Sequence, residues 1–171
     1  MKKSVSTFCF FVSIISISLV SCKQEHTHEH HDNGYEMHKN LWNQEDRKAV
    51  TAAIEDYVEG LYLVDSTRIE RSVDTTLRKL GYWYNKKEKQ YRDNLPMSYD
   101  QLVRLSARWN SDGDQVKKNS PKKIEIYDIN TKTASAKLNA VWGIDYFHLG
   151  KVNGQWKIFN VMWQSMPEAD Q

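Results

Sequence analysis

A β-hairpin signal near the C-terminus constrains the fold of this chain more than any other stretch. Asn153-Gly154 lies between two runs that are rich in aromatic residues, WGIDYFHLGKV and QWKIFNVMW. An Asn-Gly pair supplies the two positive-φ positions that a tight type I′ turn requires. Residues 145–152 and 155–163 are therefore predicted to be two paired antiparallel strands.

Two further strands are predicted before this hairpin. Ile124 and Ile126 alternate with polar residues, and a polar turn follows at residues 130–132. From residue 134 to residue 142, small or apolar side chains occupy every second position, which is the pattern of a half-buried strand. Gly143 then marks a predicted bulge or break before the hairpin.

Helices are predicted in the first half of the folded region. The first begins at a predicted N-cap, Asn43, and carries apolar residues at helical spacing as far as Val64. Asp65 then starts a second helix that runs to Val73.

A third helix is predicted to begin after Ser98 and to end near Trp109. Before it, residues 74–84 pass into a short strand, and the highly charged residues 85–94 are predicted to be a turn or loop. Helices followed by an antiparallel meander predict an α+β domain with the helices packed on one sheet face.

The N-terminus has the features of an export signal. Two lysines precede an apolar run at residues 8–20, which is too short to span a bilayer comfortably. Leu19-Val20-Ser21-Cys22 resembles a bacterial lipobox, in which Cys22 would carry the lipid and residues 1–21 would be removed. This predicts a lipid-anchored protein of the bacterial cell envelope, on its periplasmic or outer-surface side. An ordinary secretory signal with a chance cysteine is the alternative.

The charge balance of the mature chain argues against nucleic acid as a partner. Removal of residues 1–21 removes two lysines and no acidic residue, so the 24 basic residues fall to 22 and equal the 22 acidic ones. A neutral chain lacks the concentrated positive field that nucleic acid binding needs.

Cys22 would be the one remaining cysteine, so neither a disulfide nor cysteine catalysis is expected. Cofactor motifs such as a phosphate-binding glycine loop are absent from the sequence, and no cofactor is predicted.

Residues 22–42 differ from the rest of the chain because they are polar and rich in histidine. Such a segment buries too little apolar surface to offset chain entropy, which predicts a disordered tether. Closely spaced imidazoles could also chelate Zn²⁺, Cu²⁺ or Ni²⁺. The weak metal-ligand candidates are His26, His28, His30 and His31. A solvated spacer and a metal-capturing segment both remain open.

The folded part resembles the NTF2-like superfamily. The resemblance rests on Ala-Ile-Glu-Asp-Tyr-Val-Glu-Gly at residues 53–60, on Asp65, and on the Trp-x-x-Asp-Tyr-x-His-Leu motif that runs through the hairpin to residue 163. Within the superfamily, it is most similar to the bacterial family called "putative lumazine-binding". The resemblance implies a domain at residues 43–165, followed by a tail at 166–171. It also implies a cone of three helices and a strongly curved sheet with a cavity, and dimerisation through the outer sheet face.

The resemblance also supplies candidate catalytic residues. Enzymes of the ketosteroid isomerase and scytalone dehydratase types use cavity acids or histidines for proton transfer. The candidates in this chain are His148, Asp56 and Asp145. On a regular strand Asp145 and His148 point to opposite faces, so they form no direct dyad unless a bulge resets the register.

Aromatic residues are the main candidates for lining a cavity. They could stack on a flat ligand, although core and dimer packing would explain most of them equally well. Regular alternation groups Asn160 with Ile158 on one face of the last strand, and Val161 with Trp163 on the other. The cavity candidates are Tyr57, Leu61, Trp83, Trp109, Tyr146, His148 and Asn160.

Three functions are consistent with these features. The first is non-catalytic binding of a small molecule or partner protein by an envelope lipoprotein. The second is proton-transfer catalysis of the isomerase, dehydratase or hydrolase type, and the third is metal capture by the tether. The expected partners are the membrane, through the lipid anchor, and a second copy of the chain.

Overall fold

The computed structural model describes residues 32–167, with side chains described from residue 44 onward. Within these residues there are three helices and six strands. The helices are α1 (Asp32–Tyr62), α2 (Ser66–Ser72) and α3 (Tyr99–Ser106). The strands are β1 (Val73–Asn85), β2 (Gln90–Met97), β3 (Lys122–Ile129), β4 (Thr133–Ala140), β5 (Gly143–Val152) and β6 (Gln155–Gln164).

Helix α1 is longer than the sequence pattern predicts. It begins at Asp32, eleven residues before the predicted N-cap Asn43. Residues 35–43 contain neither glycine nor proline, so nothing in them interrupts a helical backbone. The predicted start at Asn43 is therefore wrong, and the end of the predicted tether at residue 42 falls inside α1. The part of the tether before residue 32 lies outside the described residues.

The other two helix starts are confirmed with their caps. Asp65 accepts a hydrogen bond from the Thr67 backbone N–H at 3.1 Å and begins α2. Ser98 and Gln101 form a reciprocal capping box at the start of α3. Each cap satisfies backbone donors that a helix leaves free in its first turn.

The six strands form one mixed sheet in the order β2-β1-β6-β5-β4-β3. Strands β1 and β6 are parallel, and every other neighbouring pair is antiparallel. The predicted turn between β5 and β6 is confirmed, since Asn153 and Gly154 have φ angles of 49° and 82°. Val152 pairs with Gln155 directly across this turn.

The charged segment at residues 85–94 contains part of a strand that the sequence pattern does not predict. Residues 90–97 form β2, which pairs with β1 through a turn that Asn85 stabilises by accepting from two backbone N–H groups. Strand β2 is an edge of the sheet and is largely exposed. Charged side chains are common on such edges, because they discourage pairing with another chain. The predicted turn is therefore found at residues 86–89, and the prediction is wrong for residues 90–94, which belong to β2 of a second hairpin.

A bulge in β6 corrects the predicted alternation of that strand. His148 pairs with Asn160 and Leu149 pairs with Ile158, so Phe159 is an extra residue with no partner position. One extra residue reverses the facing of every side chain that follows it. Asn160 therefore does not share a face with Ile158, as regular alternation predicts.

The hydrophobic core lies between α1 and the inner face of the sheet. Helix α1 contributes Ile54, Tyr57 and Val58, which are all fully buried. The sheet contributes Phe147 from β5 and Val161 from β6 among other residues. Helices packed on one face of a mainly antiparallel sheet confirm the predicted α+β class. Within the described residues, no helix combines the length and apolar character needed to cross a bilayer.

Candidate functional site

Several side chains with polar groups meet on the inner face of the sheet, and we call this group the inner polar cluster. It comprises Tyr57 of α1, Lys79 of β1, Trp142 of the β4–β5 turn, Asp145 of β5 and Trp163 of β6. Lys79 Nζ donates a hydrogen bond to the Tyr57 hydroxyl at 2.6 Å and lies 3.8 Å from Asp145 Oδ1. Trp142 Nε1 donates to Asp145 Oδ2 at 3.0 Å. The side chains of Lys79 and Asp145 are 6% and 0% exposed, so the ion pair is shielded from bulk solvent.

Strand alternation and one glycine bring this cluster together. On β1, Leu77, Lys79 and Gly81 alternate onto the buried inner face. Trp163 pairs with Gly81 on one side and with Asp145 on the other. A Cβ atom at Gly81 would lie 1.9 Å from Trp163 Nε1, so the indole occupies space that glycine leaves open. The absence of a side chain at Gly81 therefore lets Trp163 reach Lys79, whose Nζ lies 5.4 Å from the indole centroid.

Two polar atoms of the cluster have no hydrogen-bond partner among the described residues. They are the carboxylate oxygen Asp145 Oδ1 and the indole nitrogen Trp163 Nε1, and both are buried. One is an acceptor and the other a donor, and they belong to directly paired residues on neighbouring strands. A buried polar atom without a partner destabilises a fold by about 1–3 kcal/mol, so native proteins usually satisfy it. Asp145 Oδ1 nevertheless faces the Lys79 ammonium at 3.8 Å and the Tyr57 hydroxyl, so Trp163 Nε1 is the atom of the two that has neither a hydrogen bond nor an ion pair.

The buried position shifts the proton affinities of the cluster. Burial lowers the pKa of Lys79, and the negative charge of Asp145 opposes that shift. Burial raises the pKa of Asp145, and Lys79 opposes that shift through its positive charge. Burial, reinforced by the charge of Asp145, also raises the pKa of Tyr57 well above its usual value. The Tyr57 hydroxyl therefore stays protonated, while Lys79 and Asp145 have proton affinities that converge.

Aromatic rings form one wall of the inner polar cluster. Tyr57 packs edge-to-face against Phe147 at 5.1 Å and against Trp142 at 6.4 Å. Tyr62 stacks on Trp109, and both rings also contact Trp142. The Tyr62 hydroxyl is fixed by donating to the Pro121 carbonyl and accepting from the Val141 N–H. This network holds Trp142 in the position from which it donates to Asp145.

Comparison with known proteins gives a family for the chain. The model of a family described as "Putative lumazine-binding" matches residues 45–164, which is well over half of the sequence. The chain belongs to this family. The match includes every member of the inner polar cluster.

Solved structures show the same fold. An NTF2-like protein of unknown function from Silicibacter pomeroyi is 19% identical with a TM-score of 0.52, and the match covers 70% of this chain and 95% of that one. An NTF2-like protein with a cystatin-like fold from Novosphingobium aromaticivorans is 11% identical with a TM-score of 0.56, and covers 81% and 94%. No curated protein matches the chain. These likenesses establish the NTF2-like fold of this family member and carry no function with them.

Several sequence-predicted site residues lie in or beside the inner polar cluster of this family domain. Asp145 and Tyr57 are members of it. Trp109 belongs to the aromatic wall, where it stacks on Tyr62 at 6.2 Å. Leu61 is 4% exposed and packs in the hydrophobic core.

The predicted candidates from the outer face of the hairpin lie elsewhere. Tyr146 and His148 alternate with Asp145 and are exposed, as strand geometry requires. His148 contacts Asn160, whose side-chain nitrogen lies 3.2 Å from His148 Nδ1 on the exposed surface. The bulge at Phe159 is what turns Asn160 outward. Tyr146, His148 and Asn160 therefore lie on the outer face, away from the inner polar cluster, and their role in ligand binding stays a prediction.

Two further candidates are also placed away from the cluster. Trp83 is 41% exposed and stacks under Arg92, whose guanidinium carbon lies 5.4 Å from the indole centroid. Asp56 is paired with Arg68 at 3.0 Å and with Arg71 at 2.5 Å, so it holds α2 against α1. Neither residue contacts the inner polar cluster, and their roles as site residues stay predictions.

Lys79 is the functional candidate that sequence reasoning missed. It lies in the run Arg78-Lys79-Leu80, where nothing distinguishes one lysine from an ordinary exposed charge. Its position between Leu77 and Gly81 on an alternating strand was the available signal, and it depended on recognising β1 as a long strand. Regular alternation groups Trp163 with Val161, but only the bulge in β6 shows that these two residues face inward.

The metal and lipid predictions concern other parts of the chain. His26, His28, His30 and His31 lie outside the described residues, as does Cys22. Within the described residues, no group of three or more His, Cys, Asp or Glu side chains is arranged to hold a metal ion. The metal-binding and lipidation hypotheses therefore stay predictions from the sequence.

Proposed function

We propose that this domain binds a small organic molecule at the inner polar cluster and does not transform it. The observation that carries the proposal is the buried indole donor Trp163 Nε1, which has no hydrogen-bond partner among the described residues, beside the buried pair of Lys79 and Asp145. The aromatic rings around them supply the apolar surface that small-molecule sites commonly use. The family description supports a ligand-binding role, and lumazine is the ligand that it names.

The test uses full-length protein in two measurements. Native mass spectrometry on freshly purified protein should reveal a retained small molecule. Lumazine is titrated into the protein while tryptophan fluorescence is recorded, and this should give a binding curve. Trp163→Phe should weaken the binding of lumazine, and His148→Gln should leave it unchanged. His148 is the matched control because it lies on the same hairpin with its side chain on the opposite face. Protein that carries no retained molecule and does not respond to lumazine would contradict the proposal.

Proton-transfer catalysis is the second candidate, and a specific observation favours it. Asp145 and Lys79 lie 3.8 Å apart, and their pKa values shift toward one another. Such a pair could take a proton from a carbon next to a carbonyl group and return it elsewhere. Incubation of the retained ligand with protein in D₂O would show deuterium gain if this occurs. Equal deuterium contents with wild type and Asp145→Asn would rule this candidate out.

We further propose that the domain is held at the bacterial cell envelope by a lipid on Cys22. The support is the lipobox-like sequence that ends at Cys22. Two or more acyl chains on one residue anchor a protein firmly, since each buried CH₂ contributes about 0.8 kcal/mol. Metabolic labelling with an alkyne fatty acid should mark the wild-type protein and not Cys22→Ser. Equal labelling of both would contradict lipidation at this residue.

Homodimerisation through the outer sheet face is proposed on a separate observation. Tyr146 and Met162 are paired neighbours on that face, with 46% and 47% of their surfaces exposed. Leu80 of β1 pairs with Met162 and extends the same cross-strand row. Adjacent exposed apolar residues often mark a contact surface. Sedimentation should give a dimer for wild type and a monomer for Met162→Glu, and a wild-type monomer at high concentration would contradict the interface.

A further inference from the structure

His148 lies at the centre of the outer sheet face. Strands β6 and β5 are the two middle strands of the sheet, and His148 is on β5 between Asn160 of β6 and Ser135 of β4. Its side chain is exposed, and it is the one histidine among residues 44–167, whose side chains the structure describes. A partner that covers the middle strands of this face therefore covers His148.

Apolar side chains surround His148 on this face. Tyr146 precedes it by two residues, and Met162 pairs with Tyr146 from β6, so both are exposed beside it. On the other side, a Cβ atom at Gly150 would lie 2.9 Å from the Phe159 ring. Gly150 alternates outward with His148, so the ring of this bulge residue covers the outer face there. Burial of these apolar groups by a partner would also remove the imidazole from water.

The edges of the sheet favour a second copy that docks on this face and not along an edge. Edge strand β2 has a bulge that includes Asn94, whose φ is 55°. Edge strand β3 has another at Tyr127, between the pairs that Ile126 and Asp128 form with β4. Such bulges interrupt the row of hydrogen-bonding groups that another strand would need. The face itself carries charges of both signs, so two copies related by a twofold axis can match opposite charges.

The charges closest to His148 are positive. The charged side chains of the outer face around it are Arg78 of β1, Glu125 and Asp128 of β3, Lys137 of β4, and Lys157 of β6. Lys137 and Lys157 are its diagonal neighbours, because they pair with the residues two before and two after it on β5. The two directly opposed side chains are an amide and a hydroxyl, which carry no charge, and the Asn160 amide nitrogen lies 3.2 Å from Nδ1.

We propose that proton uptake by His148 separates the two copies of the dimer, which is stable near neutral pH and dissociates in mild acid. Histidine is the side chain that ordinarily changes its charge between pH 5 and pH 8. A protonated ring in the interface loses its water while its nearest charges are two lysines, and burial of an uncompensated charge is costly. A twofold interface contains this group twice. The switch rests on the proposed homodimer and adds its regulation.

Sedimentation of the full-length protein at two pH values measures the effect. The dissociation constant of the wild-type dimer should be at least about tenfold higher at pH 5.5 than at pH 7.5, and two protons per dimer limit the rise to about 100-fold per pH unit. His148→Gln keeps a polar side chain that stays neutral, so its dissociation constant should be the same at both pH values.

Asn160→Asp gives a second test, because it places a carboxylate beside the ring. At pH 5.5 the protonated imidazole and this carboxylate compensate each other in the interface. At pH 7.5 the carboxylate is charged and the ring is neutral, so a single charge must be desolvated. This variant should therefore dimerise more tightly at pH 5.5 than at pH 7.5, which is the reverse of the wild type.

The outcomes separate the proton switch from the dimer on which it rests. A wild-type dissociation constant that is equal at both pH values overturns the switch and leaves the dimer in place. A pH dependence that persists in His148→Gln belongs to another group and also overturns it. Circular dichroism checks the fold, and a wild type that unfolds at pH 5.5 overturns the switch, since dissociation then follows unfolding. A wild type that is monomeric at both pH values contradicts the proposed dimer itself.

Discussion

The two faces of the β5–β6 hairpin show how the same strands serve two different environments. On the inner face Asp145 is fully buried and is held by Lys79 and Trp142. On the outer face, one residue further along β5, Tyr146 is 46% exposed. A buried polar group needs a hydrogen-bond partner within the protein, whereas an exposed polar group can form hydrogen bonds with water. The contribution of a side chain of this hairpin to the free energy of unfolding therefore depends on the face where it lies. Substitutions on the inner face should lower this free energy far more than substitutions on the outer face.

The largest expected effect is at Asp145. Asp145→Asn removes the charge that compensates buried Lys79, and breaking a buried ion pair lowers the free energy of unfolding by about 3–5 kcal/mol. His148→Gln on the outer face should change it by less than about 0.5 kcal/mol. Urea denaturation of both variants measures the difference. The double variant Lys79→Met/Asp145→Leu should recover most of the stability, and a double variant as unstable as Asp145→Asn would contradict the ion-pair explanation.

Tyr57→Phe is expected to come next. The change leaves one Lys79 N–H without its acceptor at 2.6 Å in a buried site, which should lower the free energy of unfolding by about 2–3 kcal/mol. Tyr146→Phe makes the same chemical change on the outer face and should be neutral within about 0.5 kcal/mol. Thermal or urea unfolding distinguishes the two. Equal losses at both positions would show that the inner hydroxyl has no special role.

Gly81→Ala should have a smaller effect on the inner face. The new Cβ would meet the Trp163 indole, and overpacking of this kind lowers the free energy of unfolding by about 1–2 kcal/mol. The same change in a Trp163→Leu background should be much less destabilising, because a smaller side chain leaves room. Tryptophan fluorescence should also shift in the single variant as the indole moves. An unshifted spectrum would indicate that the indole does not cover Gly81.

The smallest effect is predicted at the edge of the core, where Asp46 of α1 accepts hydrogen bonds from Lys151 at 2.6 Å and Trp156 at 2.9 Å. Burial alone would raise the pKa of Asp46, but these donors and the Lys151 charge outweigh it and lower the pKa below 3.8. The folded state therefore prefers the ionised form. The stabilisation, about 1 kcal/mol, is present above pH 3.8 and is lost as pH falls through the lowered pKa.

Urea denaturation between pH 2 and pH 6 measures this contribution. Asp46→Asn should be less stable than wild type at pH 6, and the two should converge at the acid end. Glu45→Gln is the control, since Glu45 is an exposed neighbour on the same helix. A constant difference between Asp46→Asn and wild type over the whole range would contradict the assigned ionisation.

The sequence predicted much of this fold because local signals were strong. Asn153-Gly154 requires a tight turn, and Asp65 and Ser98 are good N-caps, so these boundaries agree with the structure. The start of α1 and the strand β2 were predicted wrongly. A charged segment can be a loop or an exposed edge strand, and only its partner β1 decides between them.

The candidate site was predicted only in part, and the reason is geometrical. Asp145 and Tyr57 were recognised as candidates, and the opposed facing of Asp145 and His148 was predicted from strand alternation and is found in the structure. Lys79 was missed because a lysine in a charged run carries no sign of burial. Asn160 was misplaced because a single extra residue, Phe159, has no signature in the pattern of polar and apolar residues.

By itself, the sequence determined the class of the fold, the hairpin turn and the caps of α2 and α3, since each depends on residues that are close together in the chain. Only the tertiary structure decided that Lys79 meets Tyr57 and Asp145, which are 22 and 66 residues away. That meeting depends on the parallel pairing of β1 with β6 and on the bulge in β6, which set the register of distant strands. Register fixes which side chains face inward, and burial then converts three ordinary polar residues into a site.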